Sequence, residues 1–323
     1  MYFNDKNNFF HGIMFHHFHD NKMHIKSQGS ISRDDFFAII NFIGRDNILD
    51  ADVFFEKFKS KKLKEKDLCI TFDDASKSQI DVALPVLEEL RIKSFFFAYT
   101  SMFEGKPDNL EIFRFFRTNY FNNVDDFYIS FYKVLDENFQ SFFQENYSKI
   151  KYMVDNFPFY TLQDIKFRLV RDNFLTKTRY EKIMSLIMAE KKFIPEEFYS
   201  KLFFDKTDLK RLDELGHLVG LHSHSHPTLI EKLNFDEQKN EYKKCKLIIS
   251  KILNKSESEI KYMSHPCGSY NTNTLMALKD LDVQLGFRQT MGIEKEKGML
   301  KINNSHLEIA RKDHADIFNL MNK

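Results

Sequence analysis

Residues 68–74 read Leu-Cys-Ile-Thr-Phe-Asp-Asp, an apolar run that stops at two carboxylates. A short, continuous apolar run is what a strand buried on both faces looks like, and that kind of strand belongs to parallel sheets. Outward from it the same shape recurs at Phe9–Phe18, Lys93–Tyr99, His217–Leu221, Ile260–Met263, Val283–Phe287 and Leu307–Ala310. Helical stretches separate these runs. Ser32, with Asp35 three residues on, predicts a capped helix start. Asp81–Leu90 reads as a helix in which Pro85 must kink the chain or occupy the first turn. Phe235–Leu253 is a long amphipathic stretch, and Thr272–Leu281 follows a Ser-Tyr-Asn turn. Strands alternating with helices predict an α/β fold with a mostly parallel sheet.

One connection is far too long for a βαβ unit, which needs about thirty residues. Between Tyr99 and His217 lie more than a hundred, with Gly105 the lone glycine between Gly44 and Gly216. Residues 103–210, rich in Phe, Tyr, Lys and Asn at helical spacing, are read as a helical insertion within one domain spanning 1–323. Its aromatics are expected to form a core of their own. A lid over the active site or an oligomer interface is the sharper alternative.

Bulk composition narrows the function classes. Of 323 residues 42% are hydrophobic and 29% charged, ordinary for a globular chain with a sizeable core. With 48 basic and 47 acidic residues the net charge is +1, so no basic field exists to hold nucleic acid. The Lys-rich run from Lys57 to Lys66 is interleaved with acids and reads as a solvated helix face. The three cysteines, Cys69, Cys245 and Cys267, form no disulfide framework and fit a reducing compartment. No signal peptide and no run of 18 apolar residues is visible, so the expected location is cytoplasmic, with no transmembrane segment.

Three polar clusters follow predicted strands: Thr71-Phe72-Asp73-Asp74, His222-Ser223-His224-Ser225-His226-Pro227, and Ser264-His265-Pro266-Cys267-Gly268. Barrels of parallel strands gather their active sites at that end. His222 and His226 would lie more than 10 Å apart on an extended strand, at about 3.3 Å per residue. In a tight turn they can share one metal, and Gly220 and Pro227 around them favour such a turn. Adjacent carboxylates at the end of a buried strand are costly unless paired or metal-bound. One aspartate can complete a His-His-Asp site while the other acts as general base. Solvated aspartates opening a helix would explain that pair alone, but not the histidines.

TFDD, then HSHSHP, then HPCG, resembles the polysaccharide deacetylase family, also called the NodB-homology family or carbohydrate esterase family 4. The resemblance covers roughly Phe9–Tyr99 and His217–Asp313. It implies a distorted (β/α) barrel of about seven parallel strands, with the large helical insertion outside the resemblance. It implies Asp74, His222 and His226 as ligands of Zn²⁺ or another divalent ion, and Asp73 as the base. The third motif departs from the family: Ser264 stands where an Arg is usual. Arg311, after the last predicted strand, is the candidate to orient Asp73 instead. The backbone N–H of Cys267 would help bind the oxyanion.

The usual late Leu-x-His motif of the catalytic acid has no clean copy here. Met14-Phe15-His16 resembles it instead, as in the permuted deacetylases with an N-terminal catalytic His. His16 is therefore the expected acid. Strand alternation would put His17 on the opposite face. His265, His306 and His314 are weaker candidates. The implied function is removal of an N-acyl group, N-acetyl foremost, from a sugar, on a cytoplasmic glycan or sugar-nucleotide precursor. The alternatives are an amidohydrolase of non-sugar amides or imides, and an inactive glycan-binding barrel.

Overall fold

The computed structural model describes residues 11–135, 137–156, 160–289 and 292–321. Phe9 and Phe10, where the first predicted strand begins, lie outside them. The chain divides into two compact units. One holds the residues up to Lys26, Ser30–Asp108 and Ser200 onward; the other holds Asn109–Tyr199 with Ser27–Gly29.

The first unit is a distorted (β/α) barrel of seven parallel strands: β1 Gly12–Phe15, β2 Cys69–Phe72, β3 Phe95–Ala98, β4 Leu218–Leu221, β5 Tyr262–Ser264, β6 Leu285–Phe287 and β7 Arg311–Asp313. Their spatial order is β6-β5-β4-β3-β2-β1-β7. A parallel bridge between Phe287 and Ile309 links the two open edges and nearly closes the barrel. Alternation along the strands sorts the core. Phe95 and Phe97 join Cys69, Leu285 and Phe287 in one apolar cluster, while Phe96 and Ala98 join Ile70 and Phe72 in another. The helix Ala51–Lys59 supplies Phe54, whose ring lies 6.1 Å from Phe95 at the start of β3. That end of the interior is thus plugged with hydrocarbon, and polar groups collect at the other.

The capped start at Ser32 is present, its hydroxyl accepting from the Asp35 N–H. Pro85 sits in the first turn of the helix Leu84–Leu90, after a wide π turn at Gln79–Ala83 that absorbs the chain ahead of the ring. The seventh strand needs correction. Leu307–Ala310 does not form it; the strand that pairs with β1 is Arg311–Asp313. The apolar run is buried and only bridges β6, while the charged residues beyond it carry the ladder. Hydrophobicity marked what is buried there, not what is hydrogen-bonded. Gly220 is likewise not a turn residue. It lies within β4, where a Cβ would meet the Tyr262 carbonyl oxygen at 2.6 Å, so it permits the close approach of β4 and β5.

The second unit is helical. Its helices Asn109–Asn119, Val124–Leu135, Leu162–Leu169 and Lys177–Glu190 bury Phe116, Phe127, Phe131, Phe167 and Tyr180. The Arg117 guanidinium lies over Phe167, 5.1 Å from the ring centre. The buried carboxylate of Asp164 accepts from Tyr128 Oη at 2.8 Å and Arg168 Nε at 3.1 Å. No helix among the described residues is long and apolar enough to cross a membrane.

Candidate active site

The three polar clusters meet at the C-terminal ends of β2, β4 and β5. Asp73 and Asp74 follow β2 directly. Asp74 and Ala75 then take left-handed backbone angles, with φ of 71° and 51°. Ser223 at 64°, His226 at 55° and Cys267 at 51° do the same in the other two loops. Each such residue costs of order 1–3 kcal/mol and persists only where its surroundings over-determine it. Strain of this kind gathers at functional sites.

The left-handed turns bring His222 and His226 side by side, ring centres 5.1 Å apart. Glu241, on the helix Phe235–Leu253, clamps the loop between them. Its carboxylate accepts from the His224 N–H at 3.0 Å, the Ser225 N–H at 2.7 Å and the Ser225 hydroxyl at 2.9 Å. Both imidazoles point Nε2 at Asp74 Oδ1, from 3.0 Å for His222 and 3.2 Å for His226. Candidate ligand atoms of these three residues all lie within 4.8 Å of one another.

The far nitrogens decide what this trio can hold. His222 Nδ1 lies 3.0 Å from the Ser264 carbonyl oxygen, which can only accept, so Nδ1 donates. His226 Nδ1 donates to Asp108 Oδ2 at 2.9 Å. In neutral imidazoles both Nε2 atoms then carry lone pairs aimed at a carboxylate oxygen. The buried Nε2 of His226 has no hydrogen-bond partner. Such a trio repels itself unless positive charge sits within it, as protons or as a cation. Two imidazoles and a carboxylate are a donor set that fits a divalent ion such as Zn²⁺, and hydrogen bonds behind both histidines are the usual support of metal ligands. Burial pushes the Asp74 carboxyl up in pKa, but positive charge on the facing imidazoles, that of His226 first, holds it well below the ordinary range.

Asp73 faces the other way. It is buried, and Arg311 meets it bidentately, Nη1 to Oδ1 at 2.8 Å and Nη2 to Oδ2 at 2.6 Å. Arg311 also gives Nε–H to the Arg288 carbonyl at 2.9 Å, Nη1–H to Thr71 Oγ1 at 3.1 Å and Nη2–H to Ser264 Oγ at 2.8 Å. All five guanidinium N–H groups are thereby used. Gly12 makes room for this: a Cβ there would stand 2.6 Å from Arg311 Cγ. Burial drives the Asp73 carboxyl up, but the Arg311 charge and hydrogen bond together with the charges of His222 and His16 leave its pKa below the ordinary value. Arg311 lies within β7, not after the last strand as the sequence suggested.

His16 lies one residue past β1, so strand alternation does not govern it or His17. It is close enough to Asp73 and Asp74 that a charge on it acts on both. Cys267 is exposed, in reach of His226 electrostatically, and its N–H makes no hydrogen bond among the described residues. The three weaker candidates are buried or half-buried. His265 donates Nε2–H to the Leu307 carbonyl at 2.9 Å and stacks on Tyr270, and burial pushes its pKa down to about 3. His314 is buried against Phe15. His306 is half-buried, which lowers its pKa. Asp108 and Glu241 carried no signal in the sequence: one is an isolated acid in a loop, the other one of several acids on a helix.

A model of the polysaccharide deacetylase family matches residues 60–114 and 174–286, which is more than half of the chain. The chain belongs to the polysaccharide deacetylase family. This makes it a carbohydrate deacetylase by family, a class of hydrolase. The match contains Asp73, Asp74, His222, His226, Ser264 and Cys267, whereas His16 and Arg311 lie outside it. Solved deacetylases share the fold. The Streptococcus pyogenes deacetylase PplD, in complex with acetate, is 15% identical with a TM-score of 0.56, over 95% of this chain and 93% of that one. A de-N-acetylase from Aggregatibacter actinomycetemcomitans is 12% identical with a TM-score of 0.53, over 96% and 98%. IcaB from Ammonifex degensii is 12% identical with a TM-score of 0.51, over 95% and 91%. No curated protein sequence matches the chain.

Proposed function

We propose that this polysaccharide deacetylase is a metal-dependent N-deacetylase acting on a sugar, with Asp74, His222 and His226 as metal ligands and Zn²⁺ as the preferred ion. The observation that carries the reading is the convergence of two Nε2 lone pairs and Asp74 Oδ1, each imidazole held from behind, beside a second carboxylate turned away from them. When bound, the ion supplies Lewis-acid polarisation of an acyl carbonyl and lowers the pKa of water.

The chain's own residues do the rest. Asp73 Oδ2 already accepts from Arg311 and Ser264, whereas Oδ1 accepts one bond from Arg311. Oδ1 therefore has a lone pair left for the proton of the attacking water. Its lowered pKa keeps it ionised at neutral pH. The Cys267 N–H, which makes no hydrogen bond among the described residues, donates to the developing oxyanion in this reading. His16 donates a proton to the departing nitrogen, as in the permuted members of the family. Acetate bound to PplD is in keeping with acetyl as the group removed. Three free cysteines, one exposed, support a reducing compartment and hence a cytoplasmic glycan or sugar-nucleotide precursor as substrate. Burial pushes the thiol of Cys245 up to about 12 and that of Cys69 well above its ordinary value, so both stay inert.

The test is hydrolysis of a panel of N-acetylated sugars and sugar nucleotides, with cyclic ureides as the control class, before and after chelation. Acetate release from sugars that stops on chelation and returns with Zn²⁺ is expected. Asp73→Asn should keep one ion per chain and lose most turnover. Turnover that survives complete metal removal, or hydrolysis confined to the ureides, would overturn the reading.

A further inference from the structure

Ser264 touches both halves of the site through different atoms. Its hydroxyl donates to Asp73 Oδ2 at 2.9 Å and accepts from Arg311 Nη2 at 2.8 Å. Its carbonyl oxygen accepts from His222 Nδ1 at 3.0 Å. The residue ends β5, is fully buried, and sits where the family pattern usually has an arginine. A short side chain there leaves room for the Arg311 guanidinium, which reaches Asp73 from β7 instead.

We propose that Ser264 is a positioning residue that fixes the proposed base relative to the proposed metal ligand, its hydroxyl holding Asp73 and its carbonyl holding His222. This rests on the reading of Asp73 as base. Two bonds from Arg311 fix the plane of the carboxylate. The third, from Ser264, occupies the remaining acceptor site on Oδ2 and so leaves Oδ1 as the oxygen that takes the proton. Because one residue supplies both the hydroxyl and the carbonyl, a shift of β5 moves Asp73 and His222 together. The separation between base and ligand is thereby insulated from small movements of the sheet. Without the hydroxyl, Oδ2 regains a vacant acceptor site, and Arg311 Nη2 loses one of its two partners.

The test is Ser264→Ala, alone and combined with Asp73→Asn, with Ser264→Thr as the variant that keeps the hydroxyl. The alanine variant should lower kcat by about 10–10²-fold, the usual effect of losing an outer partner of a site residue. KM and metal content should stay within about twofold, since the carbonyl to His222 is retained. In the Asp73→Asn background the same change should cost nothing further, because the group it positions is already gone. Ser264→Thr should recover most of kcat. Unchanged kcat in Ser264→Ala would overturn the proposal. So would an equal loss in both backgrounds, which is what a merely structural role produces. Near-wild-type turnover by Asp73→Asn alone would instead sink the base assignment, and that result is read without any Ser264 variant.

Discussion

Asp108 holds His226 from the side opposite Asp74, its Oδ2 accepting Nδ1–H at 2.9 Å. Its own N–H donates to Tyr99 Oη at 3.1 Å, and the Tyr99 ring lies 5.2 Å from that of His226. The carboxylate thus fixes both the tautomer and the tilt of the imidazole. Removing such a partner typically weakens metal binding 10–100-fold. Asp108→Asn, which keeps an acceptor but loses the charge, should weaken Zn²⁺ binding by about tenfold, and Asp108→Ala by more. Competition with a coloured chelator measures both. Equal affinity in all three proteins would show that the ring is oriented by packing alone.

His16 is the group through which the leaving nitrogen is expected to gain its proton. An amide nitrogen departs poorly as an anion, whereas an activated ester oxygen leaves unprotonated. His16→Ala should therefore lose about 10²–10⁴-fold on an N-acetyl sugar and far less on an activated acetate ester, with metal content intact. His17→Ala is the comparison. A loss of the same size on amide and ester, or a larger loss at His17, would place the acid elsewhere.

Two buried histidines should make the fold acid-sensitive apart from its chemistry. Burial, reinforced by Lys93, pushes His217 down to about 4, and burial pushes His265 down to about 3. His217 Nδ1 accepts from the Ser94 N–H, a bond that only the neutral ring can make. Above about pH 6.5 both rings are neutral folded or unfolded, and their contribution is fully present. As pH falls from there toward 4 and 3, the unfolded chain binds protons that the folded chain refuses. Stability then drops by at most about 1.4 kcal/mol per pH unit for each ring. Urea unfolding between pH 7 and 4.5 should show this slope, and His217→Asn should reduce it by up to about one proton. An unchanged slope would mean that His217 titrates normally when folded.

Much of this was legible in the residues because the polar clusters are local. Asp73-Asp74 and the His222/His226 spacing stand out against apolar strands, and each cluster needs only its own loop to be recognised. Arg311 was legible as a candidate because a residue type was missing from the third motif. What the sequence hid is contact between distant segments. Asp108 and Glu241 act through single hydrogen-bonded carboxylates that have no local pattern. The charged strand Arg311–Asp313 defeated a reading based on hydrophobicity, since its ladder is built from backbone groups and its first side chain is buried by ion pairing. Ser27–Gly29 joins the helical unit through packing that no composition change announces.

The last strand has a consequence for how the protein comes into being. Asp73 and its guanidinium partner are separated by 238 positions along the chain. Every proposed metal ligand precedes that partner, so a ribosome-bound or clipped chain ending before Arg311 would hold a complete His-His-Asp trio. It would also bury an uncompensated carboxylate, at a cost of about 3–5 kcal/mol when one member of such a pair is absent. Closure of the barrel and arming of the proposed base are then one event, the pairing of β7 with β1. Biosynthesis would yield no half-finished hydrolase loose among its substrates, and loss of the segment from Arg311 onward would retire the molecule while leaving the proposed metal ligands in place.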